Sequence, residues 1–272
     1  MTLSLPLRAK GRPRVTRPEI RRTIIVSDLH VPEIDTAAYR TFIHFLQDQR
    51  PDYLWLAGDL LDMHSFSSFL KDPSLDHRTE ESLNTMNGIL DEIAAVSPNT
   101  IVKVAWGNHC DRITRFLYGV PEILPFVTKG KKPIDLLAEA LSLSERGIDH
   151  YPYREVVNFY GFYITHGEAT GLHAAKKELE SHGVSGVSGH IHANKYWERR
   201  GRNGVQQWWS IGGLPSRNVS YRPNNSWLPG IGLLEQVVGR EELFTFHPLP
   251  IVHNQFLFSG KLYTQEGVFD AK

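Results

Sequence analysis

Cys110 is the only cysteine among the 272 residues. One thiol cannot close an internal disulfide, and it cannot supply the thiolate set of a structural zinc site. Long hydrophobic runs are also missing, since no uninterrupted apolar stretch approaches the roughly 20 residues that a membrane-crossing helix needs. The opening segment "MTLSLPLRAKGRPR" sets basic residues directly after a short apolar run and lacks an extended hydrophobic region, so no secretory leader is expected. Excess charge is absent as well: 30 Lys and Arg balance 30 Asp and Glu. There is no internal repeat, low-complexity block or interdomain linker. Together these absences lead to the expectation of a cytoplasmic protein, away from the membrane, with 41% apolar residues available for one large core.

The balanced charge is unevenly spread. Residues 1–22 hold seven of the basic side chains and one acidic one, leaving 23 basic against 29 acidic, a charge of −6, for the rest. The segment "RAKGRPRVTRPEIRR" is proline-bearing, poor in apolar residues and aperiodic, which predicts a flexible basic arm over 1–22 and one folded domain over 23–272. Short β-branched and aromatic runs at 23–26, 53–57 and 100–105 read as strands, and 36–49 and 80–95 carry apolar residues at helical spacing, so the first half reads β-α-β-α-β. Further on, "EVVNFYGFYITHG" holds two strand-like runs about a glycine. "GLHAAKKELESHG" reads as a helix closed by Gly183, and "NKYWERRGRNGVQQWWSIGG" as a hairpin about Asn203-Gly204. An α/β fold with a β-rich C-terminal half is expected.

Chemistry-bearing residues fall at the ends of these strands. "SDLH" supplies Asp28 and His30, "GDLLD" supplies Asp59 and Asp62, and "GNHC" supplies Asn108 and His109. "THG" adds His166, and "GHIH" adds His190 and His192. Carboxyl ends of strands in open α/β sheets converge on the ligand crevice. Carboxylate, imidazole and amide oxygen suit divalent first-row metals, and seven such ligands are too many for one ion with open positions. They fit two ions bridged by a carboxylate, the arrangement used for in-line displacement at phosphorus.

The ordered motifs D-x-H, G-D-x-x-D, G-N-H, a later H and G-H-x-H, spanning 28–192, resemble those of the calcineurin-like metallophosphoesterase superfamily, in its stand-alone bacterial or phage form. The resemblance implies a four-layer α/β/β/α sandwich with a dinuclear centre. Asp28, His30 and His192 would hold one ion, Asn108, His166 and His190 the other, and Asp59 would bridge them. It also implies a catalytic His109 oriented by Asp62, and hydrolysis by a hydroxide shared between the ions. Manganese is the first expectation, with iron, zinc, nickel or magnesium as the other candidates. The commoner pattern has an acid after G-N-H; here that position is Cys110, and a buried small hydrophobe is the expected reading of it.

Substrate is expected to be a phosphodiester, single-stranded nucleic acid or a nucleotide. Protein serine/threonine phosphatases of this superfamily follow G-D-x-x-D with Arg-Gly, and this chain has Met63-His64. Arg112, His64 and His173, just beyond motifs, are candidate substrate contacts, and Tyr221 and Trp227 are candidate stacking partners for a base. The alternatives are a metal-dependent phosphomonoesterase and a non-catalytic binding scaffold, against which stands the filling of every ligand position.

Overall fold

The computed structural model describes residues 18–68, 79–201, 204–216 and 225–271. Residues 1–17, which make up most of the expected arm, lie outside that set, as do Asn203 and Tyr221.

The first strand, β1 (Ile20–Val26), begins three residues earlier than its apolar run. Arg21 and Arg22, expected in the arm, belong to it. The Arg21 guanidinium lies 3.5 Å over the Tyr160 ring, and Arg22 pairs with Glu235 at 3.1 Å. After β1 come α1 (Thr36–Gln49), β2 (Tyr53–Ala57), α2 (Thr79–Val96) and β3 (Ile101–Ala105), as the periodicity predicts. Asp35 caps α1 by accepting the Ala37 and Ala38 N–H groups at 3.0 Å, an arrangement typically worth about 1 kcal/mol. Three short helices absent from the sequence reading follow: α3 (Arg112–Tyr118), α4 (Leu124–Thr128) and α5 (Pro133–Ala140). Then comes β4 (Asp149–Tyr151).

The second half begins with the expected hairpin of β5 (Val157–Phe159) and β6 (Phe162–Ile164). Helix α6 (Ala174–His182) ends at Gly183, whose φ of +67° gives the left-handed cap. Next are β7 (Gly186–Ser188), β8 (Lys195–Gly201), β9 (Gly204–Ser210), β10 (Gly230–Val237) and β11 (Arg240–Pro250). A three-stranded meander, β12 (Gln255–Phe258), β13 (Lys261–Thr264) and β14 (Gly267–Asp270), completes the described chain and packs on α1.

Two larger sheets run in the orders β11-β10-β1-β2-β3-β4 and β5-β6-β7-β9-β8. Side chains alternate faces along a strand, so each sheet can bury both. Ile24, Val26, Leu54, Leu56 and Val104 pack under α1 and α2, whereas the intervening Ile25, Trp55, Ala57 and Ala105 meet Phe162, Ile164, Val187 and Trp209 of the other sheet. Trp208, next to Trp209, points to the far side and packs against Ala175 and Leu179 of α6. The result is the expected α/β/β/α sandwich. Because β1, β2 and β3 are parallel, as are β6 and β7, their carboxyl ends gather at one edge of the two packed sheets.

Candidate metal centre

Every motif residue sits just past one of those strand ends: Asp28 and His30 after β1, Asp59 after β2, Asn108 and His109 after β3, His166 after β6, and His190 and His192 after β7. Asp28, His30, Asp59, His190 and His192 all have φ between 46° and 70°. Such left-handed backbone is uncommon outside glycine and costs free energy, so it persists only where surrounding structure enforces it. The motif glycines allow the backbones to close in. A Cβ on Gly107 would lie 2.1 Å from Asp59 Oδ1, and one on Gly189 would lie 2.3 Å from Asp28 Oδ2.

Three ligand-type groups result among the described residues, Asp28, His30 and His192 in one, Asp59, His166 and His190 in another, and His30, Asp62 and His109 in a third, with candidate ligand atoms within 4.8 Å of one another; the first two match the expected ligand sets. In the second, His166 Nδ1–H donates to Ala57 O at 3.1 Å, which turns the Nε2 lone pair toward Asn108 Oδ1 at 2.9 Å and Asp59 Oδ2 at 3.1 Å. The same Asn108 oxygen lies 2.9 Å from His190 Nδ1. In the first, His30 Nε2 and His192 Nε2 are 3.0 Å apart, and His192 Nε2 is 3.1 Å from Asp28 Oδ1. Converging acceptor lone pairs repel unless a proton or a metal cation lies among them. The donor set therefore fits divalent ions.

The crowding of these groups also shifts their pKa values. Burial alone would raise the carboxyl pKa values of Asp28 and Asp59. The imidazoles of His192 and His166 around Asp28, and of His166, His109 and His30 around Asp59, instead hold both below the usual range. Burial would lower His166, yet the Asp59 and Asp28 carboxylates bring it up to about 9. Burial keeps His190 and His192 below the ordinary imidazole value, as neutral ligands require.

Beside the clusters stands a second unit. His109 Nδ1–H donates to Asp62 Oδ1 at 3.0 Å, which leaves Nε2 as the outward acceptor. Arg112 reaches the same Asp62 oxygen at 2.8 Å through Nη1 and stands 3.2 Å from His109 Nε2 through Nη2. The His109 backbone N–H donates to Asp59 Oδ1 at 2.8 Å, tying this unit to the centre.

The model of the calcineurin-like phosphoesterases matches residues 21–236. The chain belongs to the calcineurin-like phosphoesterase family. It is 24% identical to the Gene 54 protein of Mycobacterium phage D29 over 89% of this chain and 98% of that protein. Among solved structures it is similar to Vps29 of Chaetomium thermophilum (9% identity, TM-score 0.45, 93% of this chain and 100% of that one). It is also similar to the purple acid phosphatase PPD1 of yellow lupin seeds (13% identity, TM-score 0.39, 85% and 54%). Calcineurin-like phosphoesterases act on phosphoester substrates and typically bind a dinuclear metal centre.

Within this calcineurin-like phosphoesterase, Cys110 is wholly buried in the main core, with Sγ 3.7 Å from Leu61 O. Burial, aided by the Asp59 carboxylate, pushes the thiol up to about 12, so it is neither nucleophile nor ligand at neutral pH. Native protein should accordingly resist iodoacetamide, label fully in guanidinium, and keep most of its activity as Cys110→Ala. Rapid labelling of folded protein, or a collapse of turnover in that variant, would show a working thiol.

The remaining expected contacts separate. Arg112 is half in the centre, and His64 lines a small cavity with Asp62. His173 is exposed at the start of α6. Trp227, expected as a stacking partner, is 7% exposed as a residue, and its ring lies T-shaped to that of His192 with centroids 4.2 Å apart, packed against a ligand-type imidazole. Two residues that the sequence analysis did not bring forward gain definition: Arg115 donates to Asn108 O at 2.6 Å, and Phe116 lines the same groove on α3. No helix among the described residues is long and apolar enough to cross a membrane.

Proposed function

We propose that the chain is a phosphodiesterase dependent on two divalent ions, manganese first among them, and that it acts on nucleic acid or nucleotides. The observation that carries this reading is the convergence of ligand-type atoms from Asp28, Asp59, Asn108, His30, His166 and His192 at the strand ends, a donor set that suits two cations. Asp28, His30 and His192 would hold one ion and Asn108, His166 and His190 the other. Asp59 Oδ2, 3.1 Å from His166 Nε2 and 3.7 Å from His30 Nε2, lies within reach of both groups, and Asp59 would bridge the two ions. Bound ions supply Lewis acidity toward phosphoryl oxygens and acidify water near neutral pH.

The chain's own residues do the rest. Asp62 accepts from His109 Nδ1–H and so fixes the ring; a proton taken up at Nε2, giving the imidazolium, would be the one passed to the leaving oxygen. Arg112, beside that nitrogen, offers guanidinium N–H groups to an equatorial phosphoryl oxygen. Near-complete burial of Asp28, His30, Asp59 and His166 keeps bulk water from screening these charges. Met63-His64 replaces the Arg-Gly of protein phosphatases, which favours diester over phosphoprotein.

Two tests apply. Purified protein should carry two transition-metal equivalents per chain, and none even after supplementation would instead support a scaffold. With Mn²⁺ it should cleave bis(p-nitrophenyl) phosphate faster than the corresponding monoester. Strong monoester turnover with no diester or oligonucleotide cleavage under Mn²⁺, Mg²⁺, Ni²⁺ or Zn²⁺ would make it a phosphomonoesterase.

A further inference from the structure

A groove of about 300 Å³ opens beside the centre. It is lined by Asn108, Arg112 and Arg115 together with Phe66 and Phe116. Its size is at the lower end for small-molecule sites, and it combines two guanidinium groups with two aromatic rings. Exposed phenylalanines are ordinary when isolated, but this one is not. Phe66 packs against the main core, and its ring meets that of Phe116 at 5.3 Å and 76°, so Phe116 is braced on one side while 47% of the residue stays open.

Arg115 is aimed inward. Its Nη2 donates to Asn108 O at 2.6 Å, although its side chain is 59% exposed. The alternative anchor, an i,i+4 ion pair with Asp111 at 3.7 Å, is exposed and weak. Five N–H donors leave this guanidinium capacity for a phosphate oxygen. Phosphate-binding donors next to a braced aromatic face match one ligand chemistry, a nucleotide. The −6 charge of residues 23–272 provides no general attraction for a polyanion, so recognition has to come from such local groups.

We propose that this groove is the subsite for the nucleoside phosphate next to the scissile bond, with its base stacked on Phe116 and its phosphate held by Arg115 and Arg112. The assignment rests on the phosphodiesterase reading but is tested without turnover. Titration calorimetry on the full-length, metal-loaded protein compares adenosine 5′-monophosphate with ribose 5-phosphate. Stacking of one base is worth about 1–3 kcal/mol, so the nucleotide should bind about tenfold tighter. Phe116→Ala should abolish that preference while leaving ribose 5-phosphate binding intact. Phe116→Leu, which keeps apolar bulk on the short helix, should abolish it too, and Phe116→Tyr should restore it. Arg115→Ala should weaken both ligands by a similar factor with two ions still bound. Equal affinities in the wild-type protein, or a preference that survives loss of the ring, overturns the subsite. A protein that shows the ring-dependent preference yet cleaves no diester keeps the subsite and loses the phosphodiesterase reading; a diesterase without the preference does the reverse.

Discussion

Asp59→Asn is expected to lower turnover by more than about 100-fold, beyond the range for a lost outer-shell partner, and to release at least one of two bound ions. The substitution is nearly isosteric. An asparagine keeps the Oδ1 acceptor for the His109 backbone N–H, now 2.8 Å away, so the loop after β3 should stay in place. What changes is the second oxygen. Oδ2 faces His166 Nε2 at 3.1 Å and His30 Nε2 at 3.7 Å, and an amide NH₂ there would donate to an imidazole lone pair instead of joining it around a cation. The metal-free variant should nonetheless melt lower than the metal-free wild type, since the carboxylate that holds the buried His166 imidazole in its charged form is lost. Metal analysis, turnover and thermal melts of both apoproteins check the three parts together. Two retained ions with normal turnover would remove Asp59 from the bridge.

His109→Ala is expected to behave differently, keeping both ions and slowing turnover by about 10²- to 10⁴-fold, the usual scale for a lost general acid. The reasoning is positional. His109 Nδ1 is committed to Asp62, and its Nε2 is 3.2 Å from Arg112 Nη2. Asp62 would retain its Arg112 partner at 2.8 Å, so no buried charge is orphaned and folding should survive. Arg112→Ala combined with His109→Ala should cost less than the sum of the two single changes, because both side chains share Asp62 Oδ1 and touch each other at 3.2 Å, so that each single change already disturbs the other. His30, Asp62 and His109 also bring candidate ligand atoms within 4.8 Å of one another. Loss of an ion from His109→Ala would therefore reassign the ring as a ligand.

The strands that carry the centre were legible because each is a short apolar run closed by a glycine or an acid, and their order along the chain matched the motifs. The glycines of G-N-H and G-H-x-H have a cause that spacing could not show: neighbouring carboxylates fill the volume of a Cβ. Helices α3 to α5 escaped notice because five to eight residues give too little periodicity to separate a helix from a loop. The burial of Trp227 was illegible for a related reason. A tryptophan among prolines and asparagines reads as an exposed loop, and only tertiary packing lays it against His192. Arg21 and Arg22 looked like part of a basic tail because composition is averaged over a window, whereas their pairing with Tyr160 and Glu235 joins segments more than 100 residues apart.

The span of the centre has a bearing on synthesis. Asp28 and His192 are 164 residues apart, and β1, which presents Asp28 and His30, is flanked by β2 and by the late strand β10. A nascent chain that has emerged only as far as β3 holds the first carboxylates and His30, but none of the residues from β6 onward that complete either cluster. Truncated translation products should thus come out metal-poor, and the metal content of a preparation reports the fraction of chains that were finished and folded.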